Sequence, residues 1–254
     1  MLGRASLLID VGNTNIKYVW YAEGESLLGI SPHIIANESI EQALPDLLAS
    51  RKDISNINAF ICSVKSSELT QTILSIFNEA GISCVQAQSQ SCQFGLKNSY
   101  ENVSNMGSDR WLAMLGADAI CNQDALVIDA GTAITCDFIV DKQHLGGWIA
   151  PGLSLLRKSV VSNTQRVFDF DSVTPALLPG QDTSNCVANG ALAQSIGIVY
   201  QAYALMNEKS SEFTVFLSGG DHAIIKQYLP PALGNAQIHP NLVLAGLARL
   251  SSNP

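Results

Sequence analysis

The chain has 254 residues, 47% of them hydrophobic, enough to bury one large core or two smaller ones. Its formal net charge is -8, and no cluster of Lys and Arg is present to neutralise phosphates, which argues against a nucleic-acid partner. No segment reaches the roughly 18 consecutive apolar residues of a membrane helix, and the start, MLGRASLLID, lacks the apolar core and cleavage site of a signal peptide, so a cytoplasmic protein away from membranes is expected.

In chain order, Leu7 to Asp10 reads as a strand, Gly12, Asn13 and Thr14 as a turn, and Ile16 to Trp20 as a second strand. The hairpin tip joins a carboxylate, a glycine that admits close backbone approach, small polar donors and Lys17. Such a tip suits a polyphosphate with its metal. Asp10 would hold Mg²⁺, directly or through water, because a carboxylate repels phosphate. The plainer alternative is a polar turn with a solvated aspartate and lysine.

A strand is expected around Leu27 to Ile30, a helix interrupted by Pro45 over Ile40 to Leu48, and a buried strand over Ala59 to Val64. Ser66 and Ser67 offer an N-cap to a helix with Leu69, Ile73, Ile76 and Phe77 on one face, closed by Gly81. With a strand over Ile82 to Val85, this predicts a parallel βαβ unit. Ser91 to Met106 is polar and irregular. It ends in Gly107-Ser108-Asp109-Arg110, immediately before a helical run from Trp111 to Ile120, and a helix N-terminus favours anions. Alternatively, Asp109 caps the helix and Arg110 pairs with a surface acid.

The second half opens on a repeat of the first. Val127-Ile128-Asp129-Ala130-Gly131-Thr132 aligns with Leu8-Ile9-Asp10-Val11-Gly12-Asn13, the mark of an internal duplication. Domains are therefore expected at residues 1–121 and 122–254. Leu145 to Gly152 carries paired glycines, readable as close backbone approach or as a bulge and turn, and a helix is expected from Leu153. Arg157, Lys158 and Arg166 form a modest basic patch. A long helix rich in small residues, about Cys186 to Leu205, is a candidate domain or subunit interface. Phe213 to Asp221 reads as a strand ending in Ser218-Gly219-Gly220, and a short strand over Gln237 to His239 and a helix over Leu242 to Leu250 close the chain. Cys62, Cys84, Cys92, Cys121, Cys136 and Cys186 form no Cys-x-x-Cys pair and no Cys/His cluster, and read as reduced, buried thiols. The four histidines have no partner spacing, and none is assigned a role.

In sequence the chain resembles type III pantothenate kinases. The resemblance rests on Asp10-x-Gly12-Asn13-Thr14-x-x-Lys17, Gly107-x-Asp109-Arg110-Trp111, Asp129-x-Gly131-Thr132, Gly146-Gly147-x-Ile149-x-Pro151-Gly152, Asp182-Thr183 and Ser218-Gly219-Gly220, in family order. It implies an α/β fold of two ribonuclease-H-like domains, as in actin, sugar kinases and heat-shock ATPases, with a nucleotide cleft between them. It implies ATP-dependent phosphorylation of pantothenate to 4'-phosphopantothenate, the first step toward coenzyme A. ATP and its phosphates would contact Asp10, Val11, Gly12, Asn13, Thr14, Asn15, Ile16, Lys17 and Thr132. Pantothenate would contact Tyr100, Gly107, Ser108, Asp109, Arg110 and Thr183, with Asp109 as catalytic base. Asp129 would help bind a monovalent cation, K⁺ or NH₄⁺, beside the Mg²⁺ carried with ATP. Family members are homodimers with shared sites, and Thr183 would complete the pocket across the interface. Two positions depart from the family pattern: Asn102-Val103 stands where a proline is common, and Ser108 where alanine is common.

Two other functions fit parts of the sequence. A different small-molecule kinase, for a sugar or acetate, explains the paired hairpins but not Gly107 to Arg110. A nucleotide-binding regulatory protein without kinase activity would keep the cleft and lose transfer.

Overall fold

A computed structural model describes residues 5–26, 32–51, 57–64, 67–163, 173–233 and 236–252. The strand expected at Leu27 to Ile30, the cap residue Ser66 and the basic-patch residue Arg166 lie outside these. Two units are present: one runs to Asn122 and resumes at Asn241, and the other spans Gln123–Pro240.

In the first unit the elements are β1 (Ala5–Val11), β2 (Asn15–Ala22), β3 (His33–Ala36), α1 (Ile40–Ala49), β4 (Asn58–Ser63), α2 (Ser67–Glu79), β5 (Ser83–Gln86), the short ribbon β6 (Cys92–Gln93) and β7 (Leu96–Lys97), and α3 (Ser108–Cys121). The main sheet has the order β3-β2-β1-β4-β5. Strands β1, β2 and β3 pair antiparallel, while β1 with β4 and β4 with β5 pair parallel, as the strand-helix-strand spacing predicts. Helices cover the sheet because the central strands are apolar on both faces: Leu7, Leu8, Ile9 and Ile61 are all at most 1% exposed, as are Ile73 and Phe77 on α2. Helix α1 continues through Pro45 with Ile40, Leu44 and Leu48 buried on one side.

The second unit contains β8 (Ala125–Ala130), β9 (Ala133–Val140), β10 (Gln143–Pro151), α4 (Leu153–Ser162), α5 (Thr183–Lys209), β11 (Thr214–Ser218), α6 (His222–Gln227) and β12 (Gln237–Ile238). Its strands run in the order β10-β9-β8-β11-β12. The first three pair antiparallel and the last two join in parallel, which repeats the first unit strand for strand. The paired glycines at 146 and 147 lie inside β10 beside a bulge between His144 and Gly146. His144 Nε2 and Asp137 Oδ1 meet there at 3.0 Å, both buried, a pair that no sequence spacing announces.

The final helix, α7 (Leu242–Ser252), corrects the expectation that residues 122–254 form one domain, since it belongs to the first unit. Its backbone crosses α3 at close range: a Cβ on Gly116 would strike the Leu242 carbonyl, and one on Gly246 the Leu112 carbonyl. Arg249 then ties the helices together, donating to Asp118 Oδ2 at 2.8 Å and to Leu115 O at 3.0 Å while lying over the Phe94 ring. The cysteine expectation also needs amendment. Cys62 and Cys136 are buried and burial pushes the Cys84 thiol up to about 12, but Cys92 and Cys186 are exposed.

Replacing Arg249 with Ala removes its ion pair to the fully buried Asp118 carboxylate and its bond to Leu115 O. We expect a loss of about 1.5 to 3 kcal/mol in unfolding free energy, read by urea denaturation followed by circular dichroism.

Candidate active site

Asp10, half-buried near the end of β1, sits opposite Lys17 on β2 and opposite Cys62 on β4. The tip closes where the Gly12 amide donates to Asn15 O at 3.0 Å, leaving Asn13, Thr14 and Asn15 exposed. Val11 and Ile16 differ from the rest of the expected nucleotide contacts. They are 0% and 1% exposed and belong to the core, so neither presents a side chain to a ligand. Asn37, which no sequence motif marks, packs its amide against the tip.

The start of α3 reaches the same place. Cys62 Sγ lies 3.5 Å from Ser108 Oγ. Burial first, then the charge of Asp10, with Asp109 adding to it, pushes the Cys62 thiol well above its ordinary range. Cys62 is therefore a neutral spacer with a carboxylate from each motif nearby. Gly107 is the helix N-cap residue, and Asp109 Oδ1 accepts from the Arg110 amide at 2.8 Å. A Cβ at position 107 would stand 2.5 Å from Asp109 Oδ1, so glycine leaves the room this carboxylate occupies. Arg110 is 6% exposed, and its Nη1 donates to Tyr100 Oη at 3.0 Å. Trp111 is fully buried and donates to Gln93 Oε1 at 3.0 Å, which anchors the polar segment that carries Tyr100. Asp10, Lys17, Tyr100, Gly107, Ser108, Asp109 and Arg110 thus all lie in the first unit. An ammonium, two carboxylates and a guanidinium are therefore all carried by that unit.

The second hairpin is one residue tighter, with Gly131 N donating to Ala133 O at 3.0 Å. Asp129 pairs with Thr135 across the strands, and Thr132 is exposed at the tip. Two turns flagged by glycine abut this tip. Gly152 donates from its amide to Thr132 O at 2.9 Å, and a side chain there would strike the Gly131 and Thr132 carbonyls. Gly219, at a φ of +87°, packs on the main chain of Ala130, whose carbonyl also accepts from the Asp221 amide at 2.9 Å. The glycines of these motifs are where backbone meets backbone.

Thr183 is placed apart from that hairpin in the chain, as the first residue of α5, and is exposed. Asp182 before it is the N-cap, accepting from the Asn185 amide at 2.8 Å, and these hydrogen bonds hold its carboxyl below the usual range. Thr183, Asp182, Leu156, Val160, Cys186 and Gln194 line a cavity of about 590 Å³ between α4 and α5.

The type III pantothenate kinase family model matches residues 6–204. A type III pantothenate kinase from Pseudoalteromonas atlantica is 36% identical over 243 residues, covering 95% of each chain. The chain belongs to the type III pantothenate kinase family. It is an enzyme, a phosphate-transferring kinase. Among solved structures, a Baf-family protein from Campylobacter jejuni is similar with a TM-score of 0.62 at 20% identity, over 98% of this chain and 100% of that one. A ROK family glucokinase from Streptomyces griseus gives 0.52 at 13% identity, over 97% of this chain and 98% of that one. These likenesses and the repeated strand order show the fold, two ribonuclease-H-like α/β units. No helix among the described residues is long and apolar enough to cross a membrane.

Gly107→Ala should fold with a melting temperature near wild type, since the atom it meets is a side-chain tip, yet lose about 10²-fold in turnover by displacing Asp109. Steady-state assays beside thermal melts would check this. Because the Asp182 carboxyl is depressed in the folded chain, the stability its cap supplies is present above pH ~4 and lost as pH falls through the folded value. Asp182→Ala should remove that part of the acid dependence of helix content, read by circular dichroism.

Proposed function

We propose that this chain transfers the γ-phosphoryl group of ATP to the terminal hydroxyl of pantothenate, forming 4'-phosphopantothenate and ADP, and so opens coenzyme A biosynthesis in the cytoplasm. The observation that supports the reading is the junction at Cys62, which stands opposite Asp10 in the β1–β4 register and 3.5 Å from Ser108, the neighbour of Asp109. Kinases in general use ATP with a divalent metal. Here Asp10 offers the oxygen ligand that Mg²⁺ prefers, directly or through water. That ion supplies charge neutralisation on the phosphate oxygens.

The first hairpin, Asp10 to Lys17, would bind the ATP phosphates through exposed main-chain amides and the Lys17 ammonium, and Thr132 would add a phosphate contact. Asp129, an oxygen donor at the second tip, would hold K⁺ or NH₄⁺. Arg110 and Tyr100, already joined at 3.0 Å, would bind the pantothenate carboxylate and backbone. Asp109 would accept the proton of the attacking hydroxyl. That oxygen bonds to the γ-phosphorus as the bond to the β–γ bridging oxygen breaks, and ADP departs with the electron pair. Thr183 would complete the acceptor site across a homodimer, each site drawing on both copies.

ADP release should require ATP, Mg²⁺ and pantothenate together, and be faster in potassium than in sodium buffer. Asp109→Asn should keep ATP binding and lose about 10²-fold or more in turnover. Near-normal turnover in that variant would remove Asp109 as the base. Pantothenate that stimulates no ADP release, with a sugar or acetate active instead, would overturn the substrate.

A further inference from the structure

Asn37 stands just past β3, outside every motif that marks the family. Its Nδ2 donates to Gly12 O and to Asn13 O, each at 3.1 Å. Its own main-chain amide points to Thr14 O at 3.5 Å. One residue thus gathers three successive carbonyls of the first hairpin tip. Its Oδ1 is buried without a hydrogen-bond partner among the described residues, so the side chain is seated by its donors alone.

In a trans peptide the C=O and N–H of one unit point in opposite directions, and no cis bond occurs among the described residues. Gly12 O and Asn13 O both face Asn37. The Asn13 and Thr14 amides, which share those two peptide units, must therefore face the other side of the backbone. Among the described residues neither donates to a main-chain carbonyl, whereas the Gly12 amide is used on Asn15 O. Two successive N–H groups on one side of a turn make an anion-binding concavity. Turning over either peptide would replace a donor with a carbonyl oxygen that repels phosphate.

We propose that Asn37 is a positioning residue for nucleotide binding: it fixes the peptide planes of the Gly12 to Thr14 tip so that the Asn13 and Thr14 amides face the phosphates of ATP. The assignment rests on the reading of this hairpin as the phosphate site. It is particular to the longer tip, because the second hairpin closes with one residue fewer.

Asn37→Leu keeps the shape and removes the donors, and Asn37→Ala is the second variant. Binding of Mg-ATP would be titrated by calorimetry, with KM for ATP and for pantothenate and thermal melts measured in parallel. The expected result is an ATP affinity and KM weakened about 10- to 100-fold, with the pantothenate KM and the melting temperature near wild type. Unchanged ATP affinity in a folded variant overturns the proposal. Equal rises in both KM values, or unfolding of both variants, also overturn it, since Asn37 would then serve stability alone. If wild type binds ATP but releases no ADP with pantothenate, the substrate reading fails while the titration still decides Asn37. A wild type that binds no ATP overturns both.

Discussion

The parallel register between β1 and β4 is the constraint on which the first site depends. It sets Asp10 level with Cys62, and Cys62 in turn touches Ser108 at the head of α3. A slip of one residue would turn every side chain of β1 to the opposite face, moving Asp10 away from the motif nearly a hundred residues later. Both faces are buried, with Leu7, Leu8 and Ile9 at most 1% exposed, so a slip would expose no more apolar groups, and the register is secured by the close packing that a slip would unmake. A neutral thiol at the junction suits the electrostatics. A charged group between two carboxylates would shift both, while Cys62, raised by burial, contributes bulk and a weak hydrogen bond.

Helix α3 is the second support. Its N-terminal turn carries Asp109 and Arg110, and its far end is locked by Arg249 on α7. The last helix of the chain therefore stabilises the element that presents the candidate base. Close approach of the two backbones at Gly116 and Gly246 makes that lock rigid, because helices without side chains between them have little room to slide.

The duplication also assigns different duties to the two hairpins. The first has the longer tip, exposed polar residues and a lysine across from its aspartate. The second is tighter and is boxed in by Gly152 and Gly219. Substitution at either glycine would drive a side chain into main chain, which explains why glycine-bearing turns so far apart in sequence belong to the same structural feature.

Much of this was legible in the sequence. Both hairpins, the parallel βαβ segment and the helix from Trp111 follow from periodicity and turn chemistry, which act over a few neighbouring residues. The family followed from motifs whose order along the chain is itself sequence information. Only the tertiary structure decided that α7 packs with the first unit, that Val11 and Ile16 are core side chains, that Asp137 meets His144, and that Asn37 grips the first tip. Each depends on contacts between residues far apart in sequence or on which face of an element is covered. Local propensity does not encode those contacts, because they are selected by the packing of the whole domain.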